Sequence, residues 1–437
     1  MQEIQTLPLA QESSFDLREF GWMERLHWLL GKNHPNHFAM AAEVSGVTTV
    51  DMWREALDEL QRRHPLLNVC IGRNGASKMV FRQALGNKIP LIVKRHISPL
   101  QWQAEFEREL ATPFYDSAAP LMRAILLEGD DRCEIILVTH HTIADGMSLI
   151  FVMRDLLQAL SGKKLAPLPL PPTREERVAA IWTPSSAPAP APESNGNASS
   201  LPAGRKVGFY RPEDRKRLRV QGLRLSQEQT SLLVKGARRE GTTVHTALCT
   251  AFVLAGREIS QSWKEHEVRV LSPISLRKIL NVGEDCCLNV TAAVLPFAPQ
   301  TEMAFWDLAR VTKERLLPAQ TLASVVGPHI FDDVIAANDD DEALSRLRAV
   351  ATGYELVVTN IQRFPFENKF GALTLEALWG PSALNGLEDE QAVAVATVNG
   401  SMCLVHTSYA PFHSFLEKAV DIALKACEMQ PAIEAVS

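Results

Sequence analysis

His140 and His141 stand side by side in LVTHHTIADGMSLI (137–150), and Asp145-Gly146 begins four residues after the second histidine. Imidazole has an unperturbed pKa near ~6.5, so it can take a proton from a hydroxyl or an amine at neutral pH and return it to a leaving group. Successive strand residues face opposite sides. Ile135, Leu137, Thr139 and His141 therefore share one face, and Ile136, Val138 and His140 the other. The two rings must do different work: one looks into a cleft while the other packs or hydrogen-bonds inside. Asp145 falls where a helix N-cap belongs, and Gly146 gives the backbone room for a tight turn into that helix.

Other chemistries use the same residue types. Zinc or iron accepts two histidines and Asp145 as ligands, but opposite strand faces and the lack of an HExxH or second ligand cluster argue against a metal. Ser148 falls inside the helix rather than on an activating turn, and no GxSxG elbow, P-loop or GxGxxG accompanies it. The plain structural alternative makes Asp145 a cap and each histidine a core donor. Read as chemistry, the group is a general base for direct transfer in a ternary complex, with no covalent enzyme intermediate. The seven cysteines form no CxxC pair, and adjacent Cys286 and Cys287 would point to opposite faces of a strand, which disfavours a redox or metal role.

Positioning such a base requires a strand and a helix around it. MRAILLEGDDRCEIILVTHH reads as two strands joined by a polar turn, and the helix after it carries Leu149, Val152, Met153, Leu156 and Leu160 on one face. Upstream, NHFAMAAEVSG alternates as a strand, and Asp51 caps a helix with Trp53, Leu57 and Leu60 on one stripe. Downstream, Ser226 with Gln229 forms a capping-box signal, Gly241 ends that helix and Thr243 opens another. HEVRVLSPI, CCLNVTAAVLPF, YELVVTN and EQAVAVATV read as strands. Asn399-Gly400 supplies a type I′ turn between two alternating strands, and a helix follows from about Pro411 to Cys427. This repeats the order strand, turn, strand, helix. The second copy has only His406 near the matching strand end, so one active site per chain is expected.

Composition sets the frame. A length of 437 residues favours two lobes, and 46% apolar with 22% charged residues describes an ordinary globular protein. A net charge of −6 offers no field for nucleic acid. No apolar run approaches the ~18 residues of a membrane span, and the start lacks a signal peptide, so a cytoplasmic protein is expected. Residues 166–204 are rich in Pro, Ala and Ser and read as a linker between lobes at 1–165 and 205–437.

With these residues in view, HHTIADG resembles the HHxxxDG signature of the superfamily of condensation domains, polyketide-associated acyltransferases and alcohol acetyltransferases. TPFYDSAAPLMRAILL resembles that family's PF-then-P-L-x-R segment and brings in Arg123; LDELQRRHPLL resembles its N-terminal helix and His-Pro. LSPISLR resembles the proline and arginine segment before its crossover region, and VVTNIQRFP its Ser-Asn-x-Gly strand. The likeness runs from roughly 20 to 420. It departs where Ser-Asn-x-Gly reads Thr359-Asn360-Ile361-Gln362, and where Trp379-Gly380 is the only remnant of a DFGWG motif.

The resemblance implies an α/β fold in α+β layers, with two chloramphenicol-acetyltransferase-like lobes forming a V around an interface tunnel. It implies His141 as the base, His140 as the structural member, Asp145 paired with Arg123 to hold the loop, and Gly146 bordering the tunnel. An oxyanion donor is expected from protonated His141, a backbone N–H near Gly146, or Asn360. Ser148, Thr359, Arg277 and Asn289 are further candidates for the substrate wall. No permanently bound cofactor and no metal are implied. The donor is a pantetheine thioester, as acyl-coenzyme A or on an acyl or peptidyl carrier protein, and the acceptor is a small alcohol or amine. The cluster Arg205, Lys206, Arg215, Lys216, Arg217 and Arg219 would suit coenzyme A phosphates or an acidic carrier surface, or would be a solvated charged face. A chain with no adenylation or carrier segment beside it favours a free-standing acyltransferase over a condensation domain cut from a synthetase.

Overall fold

The computed structural model describes residues 15–34, 36–84, 86–115, 119–182, 217–299, 302–326, 340–344 and 353–428. Most of the Pro/Ala/Ser-rich stretch, and Arg205, Lys206, Arg215 and Lys216 of the basic cluster, lie outside them.

The chain opens with a short strand Asp16–Glu19 (β1), a helix Trp22–Asn33 (α1), a long strand His37–Ser45 (β2) and a helix Val50–Arg63 (α2). Thr49, not Asp51, caps α2: its hydroxyl accepts from the Met52 N–H, and Asp51 sits in the first turn near the positive end of the helix dipole. Strands Val69–Arg73 (β3) and Met79–Gln83 (β4) join β1 in a small three-stranded sheet. Leu91–Arg95 (β5), Gln101–Leu110 (α3), Met122–Glu128 (β6), Arg132–His140 (β7) and Gly146–Leu160 (α4) follow.

Residues 166–204 were expected to be linker throughout, but Arg174–Ile181 forms a helix (α5). A capping box between Thr173 and Glu176 starts it, and the Arg174 guanidinium packs 4.8 Å from the Trp22 ring on α1. No proline falls between Pro172, just before the cap, and Pro184, so none opposes helix over 174–181.

The second half supplies Arg219–Arg224 (β8), Gln227–Arg239 (α6), Val244–Ile259 (α7), Gln261–Glu265 (α8), Val268–Ser275 (β9), Val290–Phe297 (β10), Phe305–Leu316 (α9) and Leu322–Val326 (α10). Leu356–Arg363 (β11), Lys369–Phe370 (β12), Leu373–Ser382 (β13), Gln391–Val398 (β14), Ser401–Ser408 (β15) and Phe415–Glu428 (α11) complete it. Asn399 and Gly400 adopt φ of 48° and 77° between β14 and β15, as a type I′ hairpin requires.

Two six-stranded sheets result, ordered β12-β13-β2-β7-β6-β5 and β10-β9-β11-β14-β15-β8. The lobes are therefore not divided cleanly by sequence. β12 and β13 come from the second half yet extend the first sheet, β13 pairing antiparallel with β2.

Three apolar layers hold this together. One face of the first sheet packs Ile135 and Leu137 against α2 and α4 through Trp53, Leu60, Val152 and Leu156. In the second lobe, Phe252 of α7 and Phe415 of α11 cover Val270 and Val395. Between the sheets, Ile136 and Val138 meet Val220, Ala394 and Val405, with Trp102 stacked on Trp379 at 4.7 Å. Gly222 on β8 makes room for that stack: a Cβ there would stand 2.5 Å from Trp102.

Candidate active site

β7 lies between β2 and β6, with His37 opposite His140 and Met122 opposite Thr139. It ends at His140. The His141 N–H then donates to the Asn36 carbonyl at 3.2 Å, and residues 141–143 turn into α4.

The two histidines separate as strand alternation predicts. His140 is buried, and its Nδ1 accepts from both the N–H (3.2 Å) and the hydroxyl (2.8 Å) of Thr142. A backbone N–H can only donate, so the neutral ring carries its proton on Nε2. This contact fixes the turn. His141 is half-buried, with its ring stacked on His27 of α1 (4.1 Å between centroids, 25° between planes) and tilted against Phe38 at 4.7 Å. Its Nδ1 is sealed with no hydrogen-bond partner among the described residues, which leaves Nε2 as the nitrogen with access. Burial lowers the His141 pKa below the ordinary value, against the opposing pull of its own backbone, the Asp145 carboxylate and Ala144. The ring is therefore neutral, able to accept a proton.

Asp145 caps α4. Its Oδ1 accepts from the Ser148 N–H (2.7 Å), and its Oδ2 from the Asn289 N–H (2.9 Å). Its ionic partner is Arg277 at 3.5 Å, not Arg123 as the resemblance implied. Arg123 lies opposite Val138 on β6 and so points to the sheet face covered by α3. There it binds the Glu109 carboxylate (2.5 Å) and the Glu109 and Thr112 carbonyls (2.8 and 2.6 Å), closing the C-terminal end of α3 with Phe114 stacked at 4.2 Å.

The remaining candidates divide into two groups. Ser148, Arg277 and Asn289 are committed to structure rather than exposed as a substrate wall. The Ser148 hydroxyl lies 2.6 Å from the Cys287 carbonyl and 2.9 Å from Asp145 Oδ1, and accepts from Arg277 Nη2 at 2.8 Å. Arg277 also donates to the Gly283 and Asp285 carbonyls, both at 2.8 Å, and the Asn289 amide lies on Cys287 Sγ at 3.0 Å. The segment 277–289 of the second half is thereby bolted to the start of α4. Cys286 and Cys287 are buried within this joint with their thiols pushed up by burial, so they are packing groups.

Gly146, Thr359 and Asn360 form the other group. A Cβ on Gly146 would stand 2.9 Å from Pro381 and 3.8 Å from Ile361, so glycine is what lets β13 and β11 close over the loop. Thr359 and Asn360 are half-buried on β11 beside that contact. Asn360 Oδ1 accepts from the Gln362 N–H at 2.7 Å, which leaves its amide nitrogen as the available end. Gln362, where the family pattern has glycine, has φ of 65°.

A second joint lies further along α4. Arg63 Nε and His64 Nε2 at the end of α2 reach Asp155 Oδ2 at 2.6 and 2.9 Å, and Arg154 reaches Asp155 and Glu284. Burial opposes charge on Asp155, but these bonds outweigh it and hold its carboxyl below the ordinary range. Among the described residues, no group of three or more His, Cys, Asp or Glu is arranged to hold a metal, and no helix is long and apolar enough to cross a membrane.

Two family models match in succession: the condensation domain over residues 24–178, and the phthiocerol/phthiodiolone dimycocerosyl transferase C-terminus over 214–317. The chain belongs to the superfamily of condensation domains and polyketide-associated acyltransferases. Relatives in this superfamily include a linear gramicidin synthase of Brevibacillus parabrevis, 27% identical over 35% of this chain, and a plipastatin synthase of Bacillus subtilis, 24% identical over 63%. The chain spans only 3% and 11% of the lengths of these two relatives. Among solved structures, polyketide synthase associated protein 5 of Mycobacterium tuberculosis matches with a TM-score of 0.66 and 17% identity, covering 95% of this chain and 99% of that one. Trichothecene 15-O-acetyltransferase of Fusarium sporotrichioides matches with a TM-score of 0.62 and 13% identity over 97% and 99%. These likenesses establish the two-lobe mixed α/β fold of the superfamily.

His27 is the contact that sequence reasoning missed. It lies on α1 with Met23 and Leu30 at i−4 and i+3, so its place in an apolar stripe was the available signal.

Proposed function

We propose that the protein is an acyltransferase that moves an acyl group from a pantetheine thioester to a hydroxyl acceptor, with His141 as general base. The observation that carries this reading is the state of His141: a half-buried, neutral ring with Nδ1 sealed and Nε2 accessible, at the end of a fully paired strand. Nε2 takes the proton of the acceptor hydroxyl as its oxygen attacks the thioester carbonyl. The tetrahedral oxyanion collapses, the carbon–sulfur bond breaks, and the imidazolium returns the proton to the departing thiolate. No covalent enzyme intermediate is required. Asn360, whose amide nitrogen remains available beside the loop, is a donor for the oxyanion, as are backbone N–H groups near Gly146. Asp145 and Arg277 act at a distance by holding the start of α4. His140 fixes the turn. In this reading acceptor and donor meet in a tunnel between the lobes, and a cytoplasmic enzyme needs no resident cofactor.

The synthetase relatives and the condensation-domain match favour a second reading, amide formation on carrier-bound substrates. Thiol release from a panel of acyl-coenzyme A donors with mixed alcohols and amines, using wild type beside His141→Ala, separates the two. Release that requires an alcohol and disappears in the variant supports the ester-forming enzyme, whereas an amine requirement supports the amide-forming one. Activity only with acylated carrier proteins assigns the donor to a carrier. Equal acceptor-dependent release by both proteins would remove His141 from the chemistry, and no release with any donor would leave a docking role.

A further inference from the structure

A histidine base is usually oriented by a hydrogen bond on the nitrogen that does not react. His141 Nδ1 has no partner in hydrogen-bond geometry among the described residues, and its own backbone and that of Ala144 pull on the ring, so packing takes a share in setting its plane. Two rings do this: Phe38 lies tilted at 4.7 Å, and His27 lies nearly parallel at 4.1 Å.

His27 is itself held at two points. Asn36 Nδ2 lies 2.6 Å from the His27 carbonyl and 3.1 Å from His27 Nδ1. A flipped amide would set oxygen against oxygen at 2.6 Å, so the nitrogen end must face His27 and donate. Nδ1 therefore accepts, and the His27 proton resides on Nε2. The same residue, Asn36, offers its carbonyl to the His141 N–H at 3.2 Å. One asparagine thus ties both histidines to the chain just before β2. The titratable groups acting on His27 are His141 and His140, and burial keeps it uncharged.

We propose that His27 is a positioning residue for His141: held by Asn36 as the neutral Nε2–H tautomer, it helps fix the plane of the base and presents an uncharged ring face to the imidazolium formed during transfer. This rests on the reading of His141 as the base. A protonated His27 would repel that imidazolium, whereas the neutral ring does not, and its main effect on His141 is to keep water from it.

The test is a pH titration by long-range ¹H–¹⁵N NMR of the full chain carrying ¹⁵N-histidine, in wild type, His27→Phe, His27→Ala and His27→Gln, with His141→Ala to assign the base. His27 is expected as the Nε2–H tautomer, uncharged while His141 titrates. His27→Phe keeps the stack and should leave the His141 midpoint near that of wild type. His27→Ala and His27→Gln remove the ring, admit water, and should move the midpoint up toward ~6.5. Thiol release should fall about tenfold in kcat with KM little changed in those two variants, and recover within about threefold in His27→Phe. An Nδ1–H tautomer, an unmoved midpoint in His27→Gln, or a His27→Phe variant as impaired as His27→Ala would overturn the proposal. Wild-type thiol release by His141→Ala would instead overturn the base reading, and this proposal with it.

Discussion

His141 owes its neutrality to burial rather than to a neighbouring charge, and that choice has a sign. The folded ring binds its proton more weakly than a solvated histidine, so kcat/KM should hold as pH falls through ~6.5 and decline only below it. An acid limb at or above ~6.5 in the pH profile of kcat/KM would contradict this. His141→Ala should lose ~10²- to 10⁴-fold in kcat with little change in melting temperature, because the ring makes no structural hydrogen bond through Nδ1. Gln362 offers a test of the opposite kind. An L-residue at φ 65° is strained by about 1 kcal/mol, so Gln362→Gly should leave thermal stability unchanged or slightly raised. Period-two alternation made the division of labour between His140 and His141 readable. It did not disclose the partner of Asp145, because a strand pattern fixes which face Arg123 takes but says nothing about Arg277, which lies 132 residues after Asp145.

At the scale of elements, α4 is the part on which the site depends. Its N-cap carboxylate is simultaneously the seat for Arg277 and for the Asn289 N–H, so capping and the joint between the halves are one interaction. Asp145→Ala removes the cap and strands a buried guanidinium, and should cost about 3 to 5 kcal/mol in denaturant unfolding. In a double-mutant cycle, Asp145→Ala should couple to Arg277→Met by at least ~1 kcal/mol and to Arg123→Met by about zero. The reverse result would restore the pairing with Arg123. Hairpins and capped helices were legible because their signals are local, as with Ser226 and Gln229 or Asn399-Gly400. Two elements were not. α5 is hidden by the prolines before it, and Thr49 lost the cap to Asp51 because both residue types suit the position and only the hydrogen bond to Met52 decides.

Across the whole molecule, buried neutral groups set the response to acid. His37 and His406 are pushed down to about 3, and His245 to about 4, each by burial. The unfolded chain binds these protons first, so their stabilisation is complete above ~6.5 and is lost as pH falls, at about 1.4 kcal/mol per pH unit for each. Glu134 and Glu390 act oppositely: burial raises both to about 7, so they penalise the ionised fold above that value and relieve it as pH falls toward the ordinary glutamate value of 4.5. Melting temperature should therefore peak near pH ~6.5, fall gently to about 4.5, and fall steeply below it where only the losses remain. A flat profile between pH ~7 and ~4 would refute these signs. One topological feature reaches furthest. Because β13 lies along β2, the first half never completes its own sheet. A fragment ending at Trp182 would expose the β2 edge as a template for indiscriminate pairing, while a chain nicked between Trp182 and Arg217 should survive as a tightly knit pair of fragments. In breeding terms, the two halves of this enzyme cannot be shuffled freely among its kin: whatever tail is exchanged must bring a strand that fits the half it joins.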